Sequence, residues 1–244
     1  MILEAAEEAS AVNLSDSRPI LIVTGLAQEA RIAAGPGKTV ICSSSDPSQL
    51  RSLLTRFDPL TIKGVISFGV AGGLDPKLKA GDVVVATGVM AAATRWHARL
   101  PLNEELIASF GLGRRRVVRG SLAGVEQVVV ARADKAALWQ KTGAVAVDME
   151  SHIAASYAEE TGLPFAALRV ISDPANRALP MLAMNAIKPN GDIDLAKILR
   201  GVARNPRTLH SLVSTGLDFN RALRSLRGCR GFMSSGKSLV TADI

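Results

Sequence analysis

Three acidic residues stand at the ends of apolar runs, where a carboxyl group could transfer a proton or hold a hydroxyl group. Asp148 and Glu150 follow the run 145–147, and Asp173 closes the run 169–173. In open α/β sheets such strand ends face the crevice that binds ligands, so acids there are candidate catalytic or binding residues. Helix N-termini also favour negative charge, and the local pattern alone favours capping for Asp148 and Glu150.

The glycine-rich stretch SFGVAGGLD, 67–75, also follows an apolar run. Its Gly69, Gly72 and Gly73 lack the G-x-G-x-x-G spacing of the dinucleotide fingerprint, and a strand comes next, which argues against a Rossmann dehydrogenase. Glycines there let backbone N–H groups approach an anion, although an ordinary tight turn explains them equally well. A phosphate-loop formula at 231–238, GFMSSGKS, lacks the flanking strand and helix that this motif needs, and we interpret it as accidental.

A fourth strand end, VTGLAQEAR, offers Glu29 and Arg31 just past the first apolar run. Any one of the four strand ends is explained by an ordinary turn or cap. Four of them in one sheet favour a shared crevice at the carboxyl ends of the strands.

The elements that must position these residues are short and alternate in type. Apolar runs predict strands at 19–25, 38–43, 63–69, 81–87, 116–124, 126–131, 143–149 and 164–173. Helical patterns predict helices at 46–57, 101–110, 131–143 and 150–162, and again from residue 192 onward. Apolar strands that alternate with helices indicate a mostly parallel sheet covered on both faces. We predict one α/β domain at 18–230, with a mixed central sheet in a three-layer α/β/α arrangement, a helical C-terminus, and flexible tails at 1–17 and 231–244.

Composition narrows the classes of protein. The chain has 244 residues, 48% of them hydrophobic, which suffices for a sizeable core. It has no apolar run of about 18 residues and no secretory pattern at the acidic N-terminus, so we expect a cytoplasmic protein. Two distant cysteines indicate neither a disulfide framework nor a metal site. The net charge is +7, but aromatic residues make up only 4%, which argues against nucleic-acid binding.

Taken together, VTGLAQEA, FGVAGGL followed by AGDVVVA, VAVDMES and RVISDPAN resemble one family in order and separation. It is the nucleoside phosphorylase and nucleosidase superfamily, which includes methylthioadenosine/adenosylhomocysteine nucleosidases and purine nucleoside phosphorylases. The resemblance covers about residues 19–180, and DMES with ISD is its most specific part. The start LAQEAR and the arginine-rich C-terminus look most like hopanoid-associated phosphorylases.

The resemblance implies roles for individual residues. Asp173 would be the acid that protonates the purine at N7, and burial would hold its carboxyl group partly protonated. Glu150 would accept hydrogen bonds from the ribose hydroxyls, while Asp148 would be structural. The substrate-binding residues implied are Glu150, Met149, Gln127, Val128, Ala71 and Gly72.

The nucleophile is either water or phosphate. In the nucleosidases of the family a glutamate after the first strand orients water, and Glu29 lies near that position. A phosphorylase needs an anion pocket instead, for which the amides of Gly69 and Gly73 with Arg31 or Arg95 are the candidates. Arg31 beside Glu29 favours phosphate, although a surface arginine on the first helix explains it equally well.

The resemblance therefore implies cleavage of the N-glycosidic bond of an adenosyl nucleoside by a homo-oligomer. We expect phosphorolysis of adenosylhopane, with adenine and a ribosyl-phosphate hopane as products. Inorganic phosphate is the co-substrate, with no other cofactor and no metal. One alternative is a hydrolytic nucleosidase of the methylthioadenosine/adenosylhomocysteine type. Another is a non-catalytic nucleoside-binding protein on the same fold.

The C-terminal segment 200–230 carries seven arginines and one acid, Asp218. Within it Leu209, Leu212, Val213, Phe219, Leu223 and Leu226 recur at near-helical spacing, interrupted around Gly216. An amphipathic helix of this kind usually packs on a core. A substrate that is mostly hydrocarbon would reside in a bilayer, so the alternative is reversible docking of this segment on anionic membrane, at the inner membrane surface.

Overall fold

The apolar runs form a mixed β-sheet in a computed structural model of the protein, which describes residues 16–99, 116–180, 209–229 and a few isolated positions between 182 and 204. Its strands are β1 (Ile20–Thr24), β2 (Lys38–Cys42), β3 (Val65–Gly73), β4 (Val83–Ala91), β5 (Thr94–His97), β6 (Val117–Gly124), β7 (Ala146–Asp148) and β8 (Phe165–Asp173). Its helices are α1 (Ala27–Ala33), α2 (Pro47–Leu54), a 3-10 turn (Pro59–Thr61), α3 (Arg132–Thr142), α4 (Ser151–Glu160) and α5 (Leu209–Cys229).

Five of the strands close into a ring of hydrogen-bonded pairs. β3 pairs with β8, β8 with β4, β4 with β6, β6 with β7, and β7 returns to β3. β1 and β2 extend the sheet from the first half of β3, and β5 extends it from the second half of β4. Long strands make this possible, because β3 leaves its partner β1 near Ser67 and pairs with β7 at Gly72 and Gly73. The carboxyl ends of β3, β7 and β8 are thereby drawn together.

Helices cover both faces of the sheet. Neighbouring residues of a strand point to opposite faces, so Ile22 belongs to one core and Leu21 and Val23 to the other. The face toward α1 and α5 buries Ile32, Phe68, Leu168, Ala222, Leu223 and Leu226. The face toward α2 and α4 buries Leu50, Leu54, Val65, Ile153, Ala154 and Ala158. The predicted mixed α/β fold with flanking helices and a helical C-terminus is confirmed.

One prediction about an element is wrong. The stretch 126–131, predicted as a strand, is irregular because β6 already has partners on both sides, β4 and β7. Val129 of this stretch packs instead against a small cluster that includes Leu74 and Val147. The apolar spacing of the C-terminal segment is interrupted around Gly216, and α5 runs through this glycine as one helix. Strand β5 was not predicted. The helix predicted at 101–110, the residues 1–15 of the predicted N-terminal tail, the C-terminal tail and the motif at 231–238 lie outside the described residues.

Two glycine substitutions test the packing of these elements, because they should change the free energy of unfolding in opposite directions. A Cβ at Gly216 would meet nothing within 4 Å, so Gly216→Ala should raise the free energy of unfolding by about 0.5–1 kcal/mol through helix propensity. A Cβ at Gly124 would lie 2.3 Å from Cβ of His152, so Gly124→Ala should lower it by about 1–3 kcal/mol. Urea denaturation measures both. Equal shifts of the same sign would contradict the packing of β6 on α4.

Candidate active site

A cavity of about 160 Å³ lies where β1, β3, β7 and β8 end. That volume is several times the roughly 30 Å³ that one water occupies in the liquid. Its walls are Gly25, Leu26, Glu29, Ser45, Val70, Ala71, Gly72, Val125, Val128, Val129, Val147, Asp148, Met149, Glu150, Ser172, Asp173 and Leu179. Four of these side chains are carboxylates, and none of the described lining residues is a lysine or an arginine. The predicted shared crevice at the strand ends corresponds to this cavity.

A buried guanidinium holds the carboxylates together from behind the cavity wall. Arg169, in the middle of β8, has no exposed surface. Its Nε lies 3.1 Å from Oδ2 of Asp148, and its Nη2 donates to Oε2 of Glu150 at 3.3 Å. The same side chain donates to Oγ of Ser67 at 2.6 Å and to the carbonyl oxygen of Val70 at 3.4 Å. Arg169 therefore joins β8 to β3 and to the start of α4.

Asp148 caps the helix that follows it. Its Oδ1 accepts hydrogen bonds from the backbone N–H of Glu150 at 2.9 Å and of Ser151 at 2.7 Å. Its Oδ2 accepts from the Ser151 hydroxyl at 2.7 Å and faces Arg169. These contacts use the lone pairs of both oxygens. Asp148 thus fixes the start of α4 and leaves its neighbour Glu150 with the freer carboxyl group.

Glu150 is buried yet weakly bonded within the protein. Its Oε1 accepts from Oγ of Ser43 at 3.5 Å and its Oε2 from Arg169 at 3.3 Å, both long contacts. Burial raises its pKa to about 7 against the opposing effect of the Arg169 charge, and the negative charges of Asp148 and Glu29 add to the rise. A carboxylate with unused acceptor capacity at a cavity wall can accept hydrogen bonds from the hydroxyls of a ligand.

Glu29, on the first turn of α1, is held by three backbone amides. Oε2 accepts from the N–H of Gly25 and of Leu26, both at 2.9 Å, and Oε1 accepts from the N–H of Val70 at 2.7 Å. One lone pair on Oε1 has no amide partner. Burial raises the pKa of Glu29, although the nearby Arg169 charge and the three amides oppose the shift. Glu29 is therefore a rigid carboxyl group with one acceptor site still available.

Asp173, at the end of β8, is paired with a lysine that has no exposed surface. Nζ of Lys135 lies 2.5 Å from Oδ2 of Asp173, and the Ser172 hydroxyl donates to Oδ1 at 2.7 Å. Burial raises the pKa of Asp173, whereas the charge and hydrogen bond of Lys135 and the hydrogen bond of Ser172 lower it. Asp173 faces the cavity while Lys135 does not line it.

The predicted site residues divide into two groups. Seven of them line the cavity: Glu29, Ala71, Gly72, Val128, Met149, Glu150 and Asp173. Five do not: Gly69, Gly73, Arg31, Arg95 and Gln127.

The structure does not bring the predicted phosphate pocket together at the cavity. Arg31 lies on the surface and pairs with Asp192 at 2.7 Å. Arg95 lies on β5 beside a second cavity, between β5, α4 and the start of β8. Gly69 serves another purpose, because a Cβ there would fall 2.6 Å from Nη1 of Arg169 and 2.7 Å from Cδ of Glu29. Its missing side chain makes room for those two groups.

Arg169 and Lys135 were missed by the sequence analysis. Arg169 had a signal, since it is a charged residue inside the apolar run FAALRVIS, where a lysine or arginine is seldom buried without a partner. Lys135 had none, because a lysine in a helix with an alternating polar pattern is expected in solvent.

The raised pKa of Glu150 predicts a pH dependence of stability. Because the folded-state value of about 7 lies above the ordinary 4.5, the folded protein binds the proton more tightly between these values. The free energy of unfolding should therefore fall as pH rises from about 5 to 7. Glu150→Gln should make this fall shallower in urea denaturation. The control is Glu160→Gln, which alters an exposed carboxylate of α4, and an identical slope in both variants would refute the assignment.

Solved structures of nucleosidases share this fold. The chain matches the 5′-methylthioadenosine/S-adenosylhomocysteine nucleosidase of Helicobacter pylori, solved with a substituted pyrrolidin-3-ol, at a TM-score of 0.60 and 18% identity, covering 90% of this chain and 97% of that one. Futalosine hydrolase of the same organism matches at 0.59 and 17%, covering 89% and 96%. A nucleosidase from Colwellia psychrerythraea in complex with adenine matches at 0.56 and 18%, covering 76% and 96%. At these identities the similarity establishes the fold.

Family membership rests on the sequence match. No curated protein sequence matches the chain. A family model described as the phosphorylase superfamily matches residues 50–200, which is more than half of the 244 residues. The matched range contains three of the four cavity carboxylates, Asp148, Glu150 and Asp173. The chain belongs to the phosphorylase superfamily.

Proposed function

We propose that the protein cleaves the N-glycosidic bond of an adenosyl nucleoside. The observation that carries the proposal is that one cavity is lined by Asp173, Glu150 and Glu29. Asp173 would protonate N7 of the base, and Glu150 would accept hydrogen bonds from the ribose hydroxyls. Met149 would pack on the sugar, and Val128 with other apolar side chains would cover the base. A complex of a similarly folded nucleosidase with adenine supports an adenosyl substrate.

The charge distribution of the cavity suits this chemistry. When the bond between the sugar and the base breaks, the base departs with negative charge and the ribosyl carbon becomes cation-like. A proton from Asp173 neutralises the base, and this is where a carboxyl group with a raised pKa acts as a general acid. The carboxylates of Glu150 and Glu29 provide negative potential for the ribosyl cation.

Electrostatics favours water over phosphate as the nucleophile. Four carboxylates line the cavity, and the two buried cations behind the wall, Arg169 and Lys135, are each already paired with one or two of them. Among the described residues that line the cavity none is a free cation, so a phosphate dianion would add negative charge that these residues do not compensate. A neutral water meets no such penalty, and Oε1 of Glu29 retains an acceptor site that could orient it.

Phosphorolysis of adenosylhopane is the second candidate. It is favoured by an exposed apolar stripe on α5, because a hydrocarbon-bearing substrate has to be taken from a membrane or a similar apolar phase. On this alternative the guanidinium of Arg169 would have to exchange Glu150 for phosphate. The two candidates share Asp173 and Glu150 in the same roles and differ in the nucleophile.

Release of adenine tests the proposal and separates the two candidates. We expect the protein to release adenine from 5′-methylthioadenosine or adenosylhopane in phosphate-free buffer, with a free ribosyl product. Asp173→Asn keeps the shape of the side chain and should lower kcat by about 100- to 10,000-fold. Chromatography of the products measures both. A requirement for phosphate with a ribosyl 1-phosphate product would establish phosphorolysis, and full activity of Asp173→Asn would refute the assigned acid.

Separately from the reaction, we propose that helix α5 docks reversibly on an anionic membrane. Within the described residues no helix is long and apolar enough to cross a bilayer. Leu209, Val213 and Leu217 of α5 are 50%, 52% and 58% exposed, and their spacing of four residues places them on one side of the helix. Arg224 and Arg227 are exposed on the same side, about two and three turns after Leu217. An apolar stripe continued by arginines is complementary to an anionic bilayer surface.

Sedimentation with vesicles tests the docking face. The protein should bind phosphatidylglycerol vesicles at low salt, bind phosphatidylcholine vesicles weakly, and lose binding as salt rises. Replacing Arg224 and Arg227 by Ser should weaken binding at least about tenfold, since each arginine near the surface contributes on the order of 1 kcal/mol. The control replaces the exposed Arg56 and Arg132 by Ser, which changes the net charge equally. Equal losses in both variants, or no binding to anionic vesicles, would refute the docking face.

A further inference from the structure

The side chain that α3 buries is a charged one. Lys135 is the buried residue of this helix, with 0% exposure, while its neighbours along α3 are exposed or half-buried. Its Nζ contacts Oδ2 of Asp173 at 2.5 Å, the carbonyl oxygen of Arg177 at 3.0 Å, and the carbonyl oxygens of Asp173 and Pro174 at 3.3 Å each. All the partners are acceptors, and all belong to the end of β8 and the turn after it. The ammonium group is fully satisfied by this single segment.

Stability alone is a poor explanation for such a lysine. Removing a charge from water costs several kcal/mol, and well-packed apolar residues in place of a buried ion pair are often as stable or more so. A methionine at 135 with an asparagine at 173 would fill similar space. The pair instead has a distinctive placement, because Asp173 faces the cavity and Lys135 stands directly behind it.

We propose that Lys135 is a positioning residue that fixes the orientation and charge of the Asp173 carboxyl group for proton transfer to the departing base. The inference rests on the proposed function and extends it to a residue outside the cavity. Oδ2 is held by Lys135 and Oδ1 by the Ser172 hydroxyl, so the plane of the carboxyl group is set from two sides.

The charge of Lys135 affects how readily Asp173 gives up its proton, in addition to fixing the orientation of the Asp173 carboxyl group. When the acid gives its proton to the base, a carboxylate forms in a buried site, and the ammonium 2.5 Å away stabilises that carboxylate. Burial by itself would raise the pKa of Asp173 and make it a weak proton donor, and Lys135 opposes this rise. The other charged groups near Asp173 are Asp218 of α5, which also raises the pKa of Asp173, and Glu29 and Glu150, which line the same cavity.

Lys135→Met tests the inference through the pH profile of kcat. The rate should fall at high pH as Asp173 loses its proton. Without the lysine charge the pKa of Asp173 should rise, so this fall should move up by about one pH unit or more while kcat drops about 10- to 100-fold. Lys141→Met, on the exposed side of the same helix, is the matched control and should leave the profile unchanged. A lower kcat with an unshifted profile would mean that Lys135 only holds the turn, and would overturn the inference.

A double variant keeps the test decisive if Lys135→Met folds poorly. Removing one partner of a buried pair is strongly destabilising, whereas removing both is far less so. Lys135→Met with Asp173→Asn should therefore fold, and its kcat should lie within about threefold of Asp173→Asn alone, because Lys135 acts only through the Asp173 acid. A further loss of tenfold or more in the double variant would show that Lys135 acts independently and would refute the inference.

A measurement without turnover separates this inference from the proposed function. The carboxyl carbon of Asp173, followed by ¹³C NMR against pH and assigned with Asp173→Asn, should titrate at higher pH in Lys135→Met than in the wild type. If the wild type releases no adenine, the proposed function fails while the titration still decides whether Lys135 sets the proton state of Asp173. An unchanged titration in Lys135→Met would refute the inference even in an active enzyme.

Discussion

The site depends on one buried guanidinium. Arg169 has no exposed surface, and it contacts Asp148 through Nε and both Glu150 and the hydroxyl of Ser67 through Nη2. Without it, three acids, Asp148, Glu150 and Glu29, would face one another in a poorly solvated site, and the cost of ionising them would rise steeply. Because Arg169 is part of β8 and its partners lie on β3 and at the start of α4, the same contacts that neutralise the acids also set the spacing of the cavity walls. The same contacts of Arg169 therefore determine both the electrostatic stability of the acids and the geometry of the site.

Ring closure of the sheet is what brings these groups within reach of one another. In an open sheet of the predicted kind, β7 and β8 could each end near the crevice and still be separated by several strands. Here β3 changes partner from β1 to β7 along its own length, and β8 lies on its other edge. The ends of β7 and β8 consequently flank the end of β3. Asp148 and Glu150 approach the cavity from one flank and Asp173 from the other.

Much of the fold could be predicted from the sequence, because most strands and helices have a recognisable local pattern of apolar residues. Seven of the eight predicted strands correspond to strands, and β3 extends beyond its predicted end at Gly69 because the glycines that suggested a loop pair with β7 and β8. The stretch 126–131 has the same valine-rich pattern, but the strand before it, β6, already pairs with β4 and β7, and that depends on long-range topology. The closure of five strands into a ring also depends on which distant strands pair, so no local pattern could indicate this closure.

The residues of the candidate site also divide into those that a local pattern predicts and those that depend on long-range packing. Asp173, Glu150, Met149 and Glu29 follow strands whose ends could be located, and the structure places all four at the cavity. Arg31 and Arg95 are predicted to complete an anion pocket with the amides of Gly69 and Gly73, yet the direction of a side chain depends on packing that the sequence does not reveal. Their roles in binding phosphate stay predictions, with Arg31 on the surface and Arg95 beside another cavity. Lys135 could not have been selected at all, because its significance lies in a contact between residues 38 positions apart.

The arrangement of charge also explains how one cavity can serve two opposite needs. A leaving base needs a proton and therefore a nearby positive potential, whereas a ribosyl cation needs negative potential a few ångströms away. Lys135 stands behind Asp173 at the end of β8, and Glu150 and Glu29, which have no lysine partner among the described residues, line the same cavity. In the proposed reaction the lysine-backed acid would serve the departing base and the two carboxylates would serve the ribosyl cation. Preorganised charges of this kind act without reorganisation at the moment of reaction, and a buried site with little water preserves their strength.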